Sequence, residues 1–508
     1  MAEQEETLAS RYTQLEDGKS STSDRAELCA KMTIPYAYME EDSSSQDDLQ
    51  RNYTQGFGAS LVNHLVGKLA LSILPASQPF YRLAASREAM FNITQGKEDA
   101  AYMVEKELAN KEGDILKYIN DSNFRGSLYP SLRLAVVTGN CLIEKLEDDG
   151  RFRVINLRNY VVSRDYAGNV VELIIEETLD KETLPEDIRG SIDENEESED
   201  VKLYTGVKLI DGKYELTQEI AGEPVGETSS FDDLNERFID IRWNKIDGED
   251  YGRSFVEDSL GTLIALEKQM QVLNESAVIQ AKTVFTVNPN GMTKYKDFVD
   301  ASNGKAIIGQ EQDIGVVKVN KANDLQMTYQ LVEQMKRELS DTFLRNQARD
   351  SERTTAYEVA QKAQELEAAF GGVYTHIAYD IQMPLIKEAM KSLKMADEDI
   401  LKDVDVIIMS GVQALGRNAE LLKINQTMQE LQMAGQLVGA EAVARALNTQ
   451  NLIKAIITNS GTANKDLIVT ESTQNAQIGQ EKREAMSQGM VEQGASAAIE
   501  TMGKNAQK

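Results

Sequence analysis

Two long helical patterns in the second half of the chain enclose an insert of about forty residues, 283–322. The first pattern runs from Ser254 to about Lys282, which is roughly 43 Å at the standard helical rise, and the second runs from Leu325 to about Leu344. The insert is rich in Gly and Val and is typical of compact β-structure. A helix, a small β-insert and a second helix form a layout that is unusual for an enzyme.

The ends and the faces of these two helices are marked in the sequence. Ser254 and Glu257 form a capping-box pattern, in which each side chain satisfies a free backbone N–H at the start of a helix. The second helix carries an apolar stripe spaced strictly by four, which drifts by about 40° per step around the helix axis. Such a stripe favours a helix that crosses its neighbours at an angle. Its members are Met327, Leu331, Met335, Leu339 and Phe343.

The segment RNQARDSERTTAYE, 345–358, follows the second helix and has almost no apolar residues. Arg345, Arg349 and Arg353 recur in it every four residues, although the chain has a net charge of −29. Asp350 and Glu352 partly offset these arginines, so a solvated connector is the simpler interpretation. The position of the segment between two helical patterns favours a functional loop.

A third helical pattern runs from Thr355, which pairs with Glu358 in a capping-box pattern, to about Leu393. Gly371, Gly372 and Pro384 interrupt it and are predicted kinks, because Gly weakens a helix and Pro removes a backbone donor. The last forty or so residues are rich in Gln, Gly, Ala and Met, which predicts weak order. Other elements predicted here are a strand, Val404–Met409, and helices over Ala419–Met433 and Glu441–Ile457.

The first half of the chain mixes helical and strand patterns, so the predicted fold class is α+β. Residues 180–200 contain ten acidic and two basic residues, which is typical of a solvated insertion. The predicted helices are Asp24–Met32, Tyr53–Leu74, Glu98–Ile119 and Phe124–Thr138. The predicted strands are Cys141–Leu146, Phe152–Ile155, Tyr160–Ser163, Val170–Thr178, Val201–Ile210, Tyr214–Ile220 and Phe238–Trp243.

The residues that usually carry chemistry form no set in this sequence. Cys29 and Cys141 are far apart, and His64 and His376 each lie within an apolar helical pattern, so no metal site is predicted. GFGASL, 56–61, is an incomplete dinucleotide fingerprint, and no GK[ST] phosphate loop occurs, so no cofactor is predicted. A hydrolase or transferase is therefore disfavoured, and we expect a protein that is not an enzyme.

The charge and the hydropathy of the chain indicate which partners and which cellular compartment it suits. An excess of acidic residues argues against tight nucleic-acid binding over a broad surface, which needs clustered Lys and Arg. Solubility explains the excess most simply, and a surface that lies near DNA without binding it is the alternative. No signal peptide is visible, and the apolar stretch Leu61–Leu74 is too short and too polar to span a bilayer. The sequence therefore predicts a reduced protein of cytoplasmic type.

Five segments in succession resemble the head-to-tail connector, or portal, proteins of short-tailed bacteriophages of the Autographiviridae type. They cover most of the chain up to about residue 457, and the acidic insertion and the tail depart from the family. The matching segments are RAELCAKMTIPY at 25–36, GASLVNHLVGKLALSILP at 58–75, GEDYGRSFVEDSLGTLIALEKQMQ at 248–271, RTTAYEVAQKAQELEAAFGGVYTHIAYDIQMPLI at 353–386 and SGVQALGRNAELLKI at 410–424.

The resemblance implies a portal fold, made of wing, stem, clip and crown, that assembles as a ring of about twelve subunits around an axial DNA channel. The ring would occupy the capsid vertex where the tail attaches. Carried onto this sequence, the parts are the wing at 1–250, the first stem helix at 251–282, the clip at 283–322, the second stem helix at 323–344, the tunnel loop at 345–354, the kinked wing helix and wing strand at 355–416, the crown at 417–457 and a flexible C-terminal tail at 458–508.

The same resemblance implies two sets of contact residues. Tunnel-loop residues would meet DNA, and polar residues at the tip of the clip would meet partner proteins, since exposed loops commonly carry binding sites. The tunnel-loop candidates are Arg345, Asn346, Gln347, Arg349 and Arg353, and the clip candidates are Asn288, Asn290, Lys294, Lys296 and Asp297.

The implied partners are further copies of the chain, double-stranded DNA, the terminase, the tail adaptor and nozzle proteins, and the scaffolding and capsid proteins. The implied location is the virion, after assembly in the host cytoplasm, without a membrane. A different acidic virion assembly protein, such as a scaffold, is the alternative. A scaffold would be more helical, without the strand-rich zone at 141–243 or the compact insert.

Overall fold

The computed structural model describes residues 7–38, 55–75, 80–85, 90–91, 95, 98–146, 150–181, 200–281, 284–303, 305–317, 322–345, 365–366, 368–395, 404–408 and 433. The chain divides into two compact units. The first comprises Met1–Leu74, Ile119–Thr355 and Glu365–Glu388, and the second comprises Pro75–Tyr118, Ala356–Gln364 and Ala389–Lys508. The predicted helices after residue 410 and most of the acidic insertion lie outside the described residues.

The mixed α and β architecture agrees with the predicted class. The helices are α1 Leu8–Met32, α2 Phe57–Ile73, α3 Glu98–Asp121, α4 Phe124–Thr138, α5 Phe255–Ala281, α6 Tyr295–Val299, α7 Ala322–Thr342 and α8 Gly372–Ser392. The strands are β1 Tyr81–Ala85, β2 Asn140–Lys145, β3 Phe152–Ile155, β4 Tyr160–Arg164, β5 Val170–Asp180, β6 Asp200–Ile210, β7 Lys213–Ile220, β8 Glu223–Phe231, β9 Phe238–Arg242, β10 Val284–Val287, β11 Ile314–Val317 and β12 Val404–Ile408.

Two larger antiparallel sheets lie in the first unit, in addition to the two-stranded sheet of the insert, β10-β11. One has the order β3-β2-β9, and the other is a meander of successive hairpins, β4-β5-β6-β7-β8. The hairpin between β6 and β7 turns at Asp211 and Gly212, which both have a left-handed backbone, as a tight turn between twisted strands requires. Helices α2 and α4 pack on each other, and the buried face of α2 consists of apolar side chains.

Helix α1 covers the five-stranded sheet and is much longer than predicted. Thr7 caps its N-terminus by accepting a hydrogen bond from the Ser10 N–H at 3.3 Å. Tyr12 of α1 packs with Val161, Ile174 and Tyr204 of the sheet. The sequence predicts a helix only over Asp24–Met32, because the earlier turns are polar and their narrow buried face includes a lysine.

That lysine, Lys19, is 1% exposed. Its ammonium group donates hydrogen bonds to the backbone carbonyls of Leu157, Arg158 and Tyr160 at 3.1, 3.4 and 3.0 Å. These carbonyls belong to the bend that leads into β4, so one side chain of α1 fixes the bend beneath it. Burial lowers the pKa of Lys19 from its usual 10.5 to about 8.

The buried lysine predicts a particular pH dependence of stability. Between pH 8 and 10.5 the unfolded chain binds the Lys19 proton and the folded chain does not, so this group makes the free energy of unfolding rise with pH. The rise amounts to about 3 kcal/mol over that interval. Lys19→Met abolishes it, and Lys19→Arg, which stays charged, also abolishes it.

Urea unfolding of the parent and both variants at pH 7.5 and 10 measures this difference. The buried tyrosines and cysteines ionise equally in all three proteins and cancel in the comparison. A parent-minus-variant difference that stays constant between the two pH values contradicts the assignment.

The second unit contains a two-stranded antiparallel sheet in which Leu83 of β1 lies opposite Val406 of β12. Helix α3 supports β1 through Glu112, whose carboxylate accepts a hydrogen bond from the Leu83 N–H at 2.9 Å. The Glu112 carbonyl accepts another from the Tyr81 hydroxyl at 2.6 Å. The strand predicted at 404–409 is thus present and ends at Ile408 in the described residues, whereas β1 was not predicted.

Candidate functional site

Helices α5 and α7 form an antiparallel pair that carries the insert at one end. The predicted bounds of both helices agree with the structure to within three residues. At the start of α5, the Glu257 carboxylate accepts from the Ser254 N–H at 3.1 Å. The Ser254 hydroxyl accepts from Val256 N–H at 2.9 Å and donates to the Val136 carbonyl of α4 at 2.9 Å. The predicted cap therefore also ties this helix pair to α4.

Burial changes along the helix pair. At the end near α4 the pair has a closed apolar core, to which Val332 and Leu339 of α7 and the following Phe343 contribute. Towards the insert the apolar stripe of α7 leaves the core, and Met327 and Leu331 are 71% and 45% exposed. Helix α5 has a similar uncovered region. We call this part the distal arm, and its exposed apolar residues are Val272, Val278, Ile279, Met327, Tyr329 and Leu331.

The insert is a small unit built around Asp313. Strands β10 and β11 pair with Val287 opposite Ile314. The Asp313 carboxylate accepts hydrogen bonds from the N–H and the hydroxyl of Thr293 at 3.0 and 3.1 Å, and its carbonyl accepts from the Asn288 N–H at 2.8 Å. The bonds from Thr293 hold the pKa of Asp313 below its usual value. One aspartate thus joins the turn after β10 to the start of β11.

All five predicted clip candidates are exposed on this insert. Asn288 begins a turn in which its side chain accepts from the Asn290 N–H at 3.1 Å. Lys294 precedes α6, and Lys296 and Asp297 lie on that short helix. Large apolar side chains are exposed beside them, namely Phe285, Met292, Tyr295, Val299 and Ile308.

Aromatic side chains that precede and follow the segment pack on the start of α5. Phe343, just before the segment, packs edge-on against Phe255 with ring centroids 4.9 Å apart. Phe370, twelve residues beyond the segment, packs edge-on against the same Phe255 at 5.0 Å, and Trp243 contacts Phe255 and Phe370. The first residue of α5 therefore contacts aromatic residues on both sides of the stretch 346–364.

Lys68 of α2 reinforces the start of the segment, which we call its base. Its ammonium group donates to the Leu344 carbonyl at 2.6 Å and lies 3.4 Å from the Glu365 carboxylate. Leu344 has a left-handed backbone, with φ at 54°, which ends the helical run. A partly buried cation beside the last carbonyls of a helix is favourable electrostatically. The residues that hold the segment were not predicted from sequence, because they come from four distant parts of the chain.

Lys68→Met is expected to loosen the base of the segment while keeping most of the aliphatic packing. Loss of the hydrogen bond to Leu344 destabilises the end of α7 by about 1.5 kcal/mol, so amide exchange there speeds up by about tenfold. Hydrogen–deuterium exchange, followed in a peptide spanning 339–345, measures this increase in the exchange rate. Lys268→Met, at an exposed position of α5, is the matched control. Equal exchange in both variants contradicts a role for Lys68.

Arg345 is the one tunnel-loop candidate within the described residues. Its guanidinium lies over the Phe57 ring at 5.2 Å, and its backbone N–H donates to the Ser340 carbonyl at 2.7 Å. Asn346, Gln347, Arg349 and Arg353 lie outside the described residues. Arg345 thus belongs to the anchored base of the segment.

Of the helix predicted over Thr355–Leu393, residues 355–364 lie outside the described residues, and the kinks at Gly371, Gly372 and Pro384 stay predictions. Gly371 has φ at 54°, and α8 begins at Gly372. Helix α8 then continues through Pro384 to Ser392, so the proline does not end the helix, and a bend there stays a prediction. The Glu388 carboxylate of α8 pairs with the Lys145 ammonium, and both residues belong to the first unit.

The described residues do not support metal binding or cysteine chemistry at this site. Among the described residues no group of three or more His, Cys, Asp or Glu side chains could hold a metal ion. Cys29 and Cys141 are buried free thiols, and burial raises the pKa of Cys29 to about 12. In the described parts of the chain, no helix has the length and hydropathy needed to cross a membrane.

Comparison with known proteins assigns the family. Residues 5–468 match the family described as "Bacteriophage head to tail connecting protein". The chain belongs to this family. The connector is 29% identical to the portal protein of Escherichia phage T7 over 522 residues, which cover 98% of this chain and 96% of the relative. It is 30% identical to that of Enterobacteria phage T3 over 439 residues, 83% of this chain and 81% of the relative.

These findings confirm the resemblance to Autographiviridae-type portal proteins that the five sequence segments predicted. The portal protein of Enterobacteria phage SP6 is similar too, with 30% identity over 79% of this chain and 78% of the relative. A solved neck of a gene transfer agent particle aligns with a TM-score of 0.39 at 10% identity, covering 75% of this chain and 90% of that chain. The family match and these portal relatives make the chain a head-to-tail connecting protein, and the scaffold alternative is not favoured.

Proposed function

We propose that about twelve copies of this connector form a ring at one capsid vertex, around a channel through which double-stranded DNA is packaged and later ejected. The observation that supports it best is the distal arm, whose six large apolar side chains are exposed in the single chain. An exposed apolar surface of this kind marks an interaction site. A neighbouring copy in a ring would cover it by heterologous, head-to-tail contact.

The proposed parts follow the sequence resemblance. Helices α5 and α7 are stem helices, residues 283–322 are the clip, 345–354 is the tunnel loop, and 355–416 continues the wing, of which 1–250 is the first part. Residues 417–457 would form the crown. The terminase during packaging, and later the tail adaptor and nozzle proteins, would dock on the clip candidates. Scaffolding and capsid proteins would contact the wing during assembly in the host cytoplasm.

Assembly of the purified chain tests the ring. Native mass spectrometry at increasing protein concentration is expected to show about twelve copies, and negative-stain images a central hole. Val278→Asp combined with Ile279→Asp places charge on the distal arm and is expected to abolish the ring. Asn274→Asp adds a negative charge at an exposed polar position of α5 and is the matched control. A compact dimer with no ring contradicts the proposal.

The channel part of the proposal is supported by charge. A ring would repeat the arginines of 345–353 around one constriction, while the chain as a whole stays at −29. Guanidinium groups contact phosphates without reading sequence. Acidic walls repel DNA over about 8 Å at physiological salt. A few exchangeable contacts would therefore guide or hold a moving duplex.

A further inference from the structure

A cavity of about 420 Å³ lies in the first unit between two turns that no part of the proposed function uses. One turn, Asp165–Asn169, follows β4, and the other, Lys245–Asp250, follows β9. The Asp165 carboxylate accepts from the N–H groups of Ala167 and Asn169 at 2.9 and 2.8 Å, so the first turn is locally rigid. The floor of the cavity is formed by the last residues of the two strands, Arg164 and Arg242.

Among the described residues, only the first of these two guanidinium groups has a carboxylate partner. Arg164 pairs with Asp240 at 2.6 Å, and its side chain is 4% exposed. Arg242 is 7% exposed, and its contacts are the carbonyls of Gly168 and Glu249, both at the long distance of 3.4 Å. Its Nε atom is buried and has no hydrogen-bond partner among the described residues.

Among the described residues no carboxylate pairs with the Arg242 guanidinium, although four acidic residues line the cavity beside the three basic ones. Burial, together with the charge of Arg164, lowers the pKa of Arg242. An unpaired charge and an unsatisfied donor are both costly in a low-dielectric site. An oxyanion that accepts from the guanidinium removes both costs at once.

The carboxylates near the cavity do not fill this role. Asp250 is exposed, and its carboxylate accepts from the backbone N–H of Arg164 at 3.0 Å, whereas Glu249 pairs with Arg253. Asp247 is exposed, so solvent screens its charge. Lys245, a third cation of the lining, pairs with Asp380 at 2.6 Å.

The rim of the cavity differs from its floor. Tyr166 at the tip of the first turn is 98% exposed, and Ile246 on the second turn is 42% exposed. An aromatic and an aliphatic side chain above a buried arginine match the composition of binding hot spots. The rim could contact the carbon atoms of a group whose oxygens reach the floor.

We propose that this cavity binds an oxyanion, a carboxylate or a phosphate, through the guanidinium of Arg242. Nε and one Nη would donate in parallel to two oxygens of the anion, the fork geometry that arginine offers and lysine lacks. The anion is either the side chain of another protein or a free ion.

Inorganic phosphate is the probe for the full-length chain. Its addition, at ionic strength matched with chloride, is expected to raise the unfolding temperature by about 1–2 °C with saturation. Arg242→Gln is expected to remove the rise, and Arg242→Lys to retain a small part of it. Arg133→Gln is the control, because Arg133 also has a buried Nε without a partner but lies outside the cavity. A rise that persists in Arg242→Gln overturns the proposal.

A second variant keeps the test valid if Arg242 substitutions do not fold. Ile246→Glu places a carboxylate at the rim, within the same chain, where it competes with phosphate. Relative to Ile246→Gln it is expected to have a higher unfolding temperature in chloride and a smaller response to phosphate. Equal responses in these two variants overturn the proposal.

Photo-crosslinking in the assembled particle distinguishes a carboxylate of another protein from a free anion. A photo-crosslinking amino acid in place of Tyr166 that captures a partner protein, with a yield reduced by phosphate, assigns a protein carboxylate. Saturable phosphate protection without a crosslink assigns a free anion. A chain that shows neither a phosphate effect nor a phosphate-sensitive crosslink rules out the site.

Discussion

Gly139→Ala is expected to destabilise the connector by about 3–5 kcal/mol, or to prevent folding. Gly139 ends α4 with φ at 81°, a left-handed conformation that costs alanine about 1–2 kcal/mol. A Cβ at this position would lie 2.5 Å from the Gly252 carbonyl oxygen and 2.7 Å from the Arg253 carbonyl carbon. Both are backbone atoms, so no side-chain rotation relieves the overlap.

This close approach positions the helix pair that carries the insert. The Asn140 side chain donates to the Gly252 carbonyl at 3.0 Å and accepts from its N–H at 2.7 Å. The Trp243 N–H donates to the Gly139 carbonyl at 2.8 Å. Since α5 begins three residues after Gly252, the contact sets where the first proposed stem helix starts.

Gly212→Ala is the matched control. Gly212 has φ at 84°, nearly the same as Gly139, but a Cβ at this hairpin turn would have no heavy atom of the described residues within 4 Å. The substitution is therefore expected to cost only the left-handed penalty, about 1–2 kcal/mol. Chemical denaturation of both variants measures the difference. If the two variants lose equal stability, the close approach between the two backbones is not present.

Local signals in the sequence were sufficient to predict helix α4 and the start of helix α5. Helix α4 agrees with the predicted Phe124–Thr138 because apolar periodicity and Gly139 mark its extent. Ser254 with Glu257 likewise marked the start of α5. These signals lie within a few residues of the element that they specify, so no knowledge of the rest of the chain is needed.

The elements that were not predicted depend on distant partners. Strand β8, Glu223–Phe231, contains Pro224 and Gly226 and exposes most of its side chains, so it lacks a strand pattern and exists by pairing with β7. The first turns of α1 are helical because they pack on the sheet. Periodicity also could not tell that Met327 and Leu331 would leave the core that buries Leu339.

The candidate site was predictable only in outline. The arginine segment was found because its charge opposes that of the chain, and the clip candidates because polar turns expose their residues. The base of the segment was not found, since Phe255, Phe343 and Phe370 are ordinary apolar residues in sequence. Their contact depends on the tertiary fold, which brings the start of α5 beside residues that are far apart in sequence.

Arg349→Gln combined with Arg353→Gln is expected to leave the ring intact and to reduce the DNA that particles retain. In a ring of about twelve copies the change removes about two dozen positive charges from one constriction, and phosphate contacts of this kind dominate non-specific affinity. Nuclease-protected DNA per particle measures retention, and the loss is expected to be largest at low salt, where charge contacts are strongest.

Arg345 is left out of this double substitution because its guanidinium already contacts the Phe57 ring. Its contact with the Phe57 ring is worth about 0.5–2 kcal/mol, so Arg345→Gln is expected to lower stability at the base of the segment in addition to any effect on DNA. Adding it to the double variant gives the triple substitution of all three arginines.

The lysine versions, Arg349→Lys with Arg353→Lys, distinguish charge from geometry. They keep the positive charge and are expected to restore most retention, because contact with a moving duplex needs a charge rather than a fixed fork. Loss of retention in the lysine variant, equal to that in the glutamine variant, would mean that bidentate phosphate contacts hold the DNA. If packaging and retention were unchanged in the triple glutamine variant, the arginines would have no role in the channel, and the solvated-connector interpretation of this segment would stand.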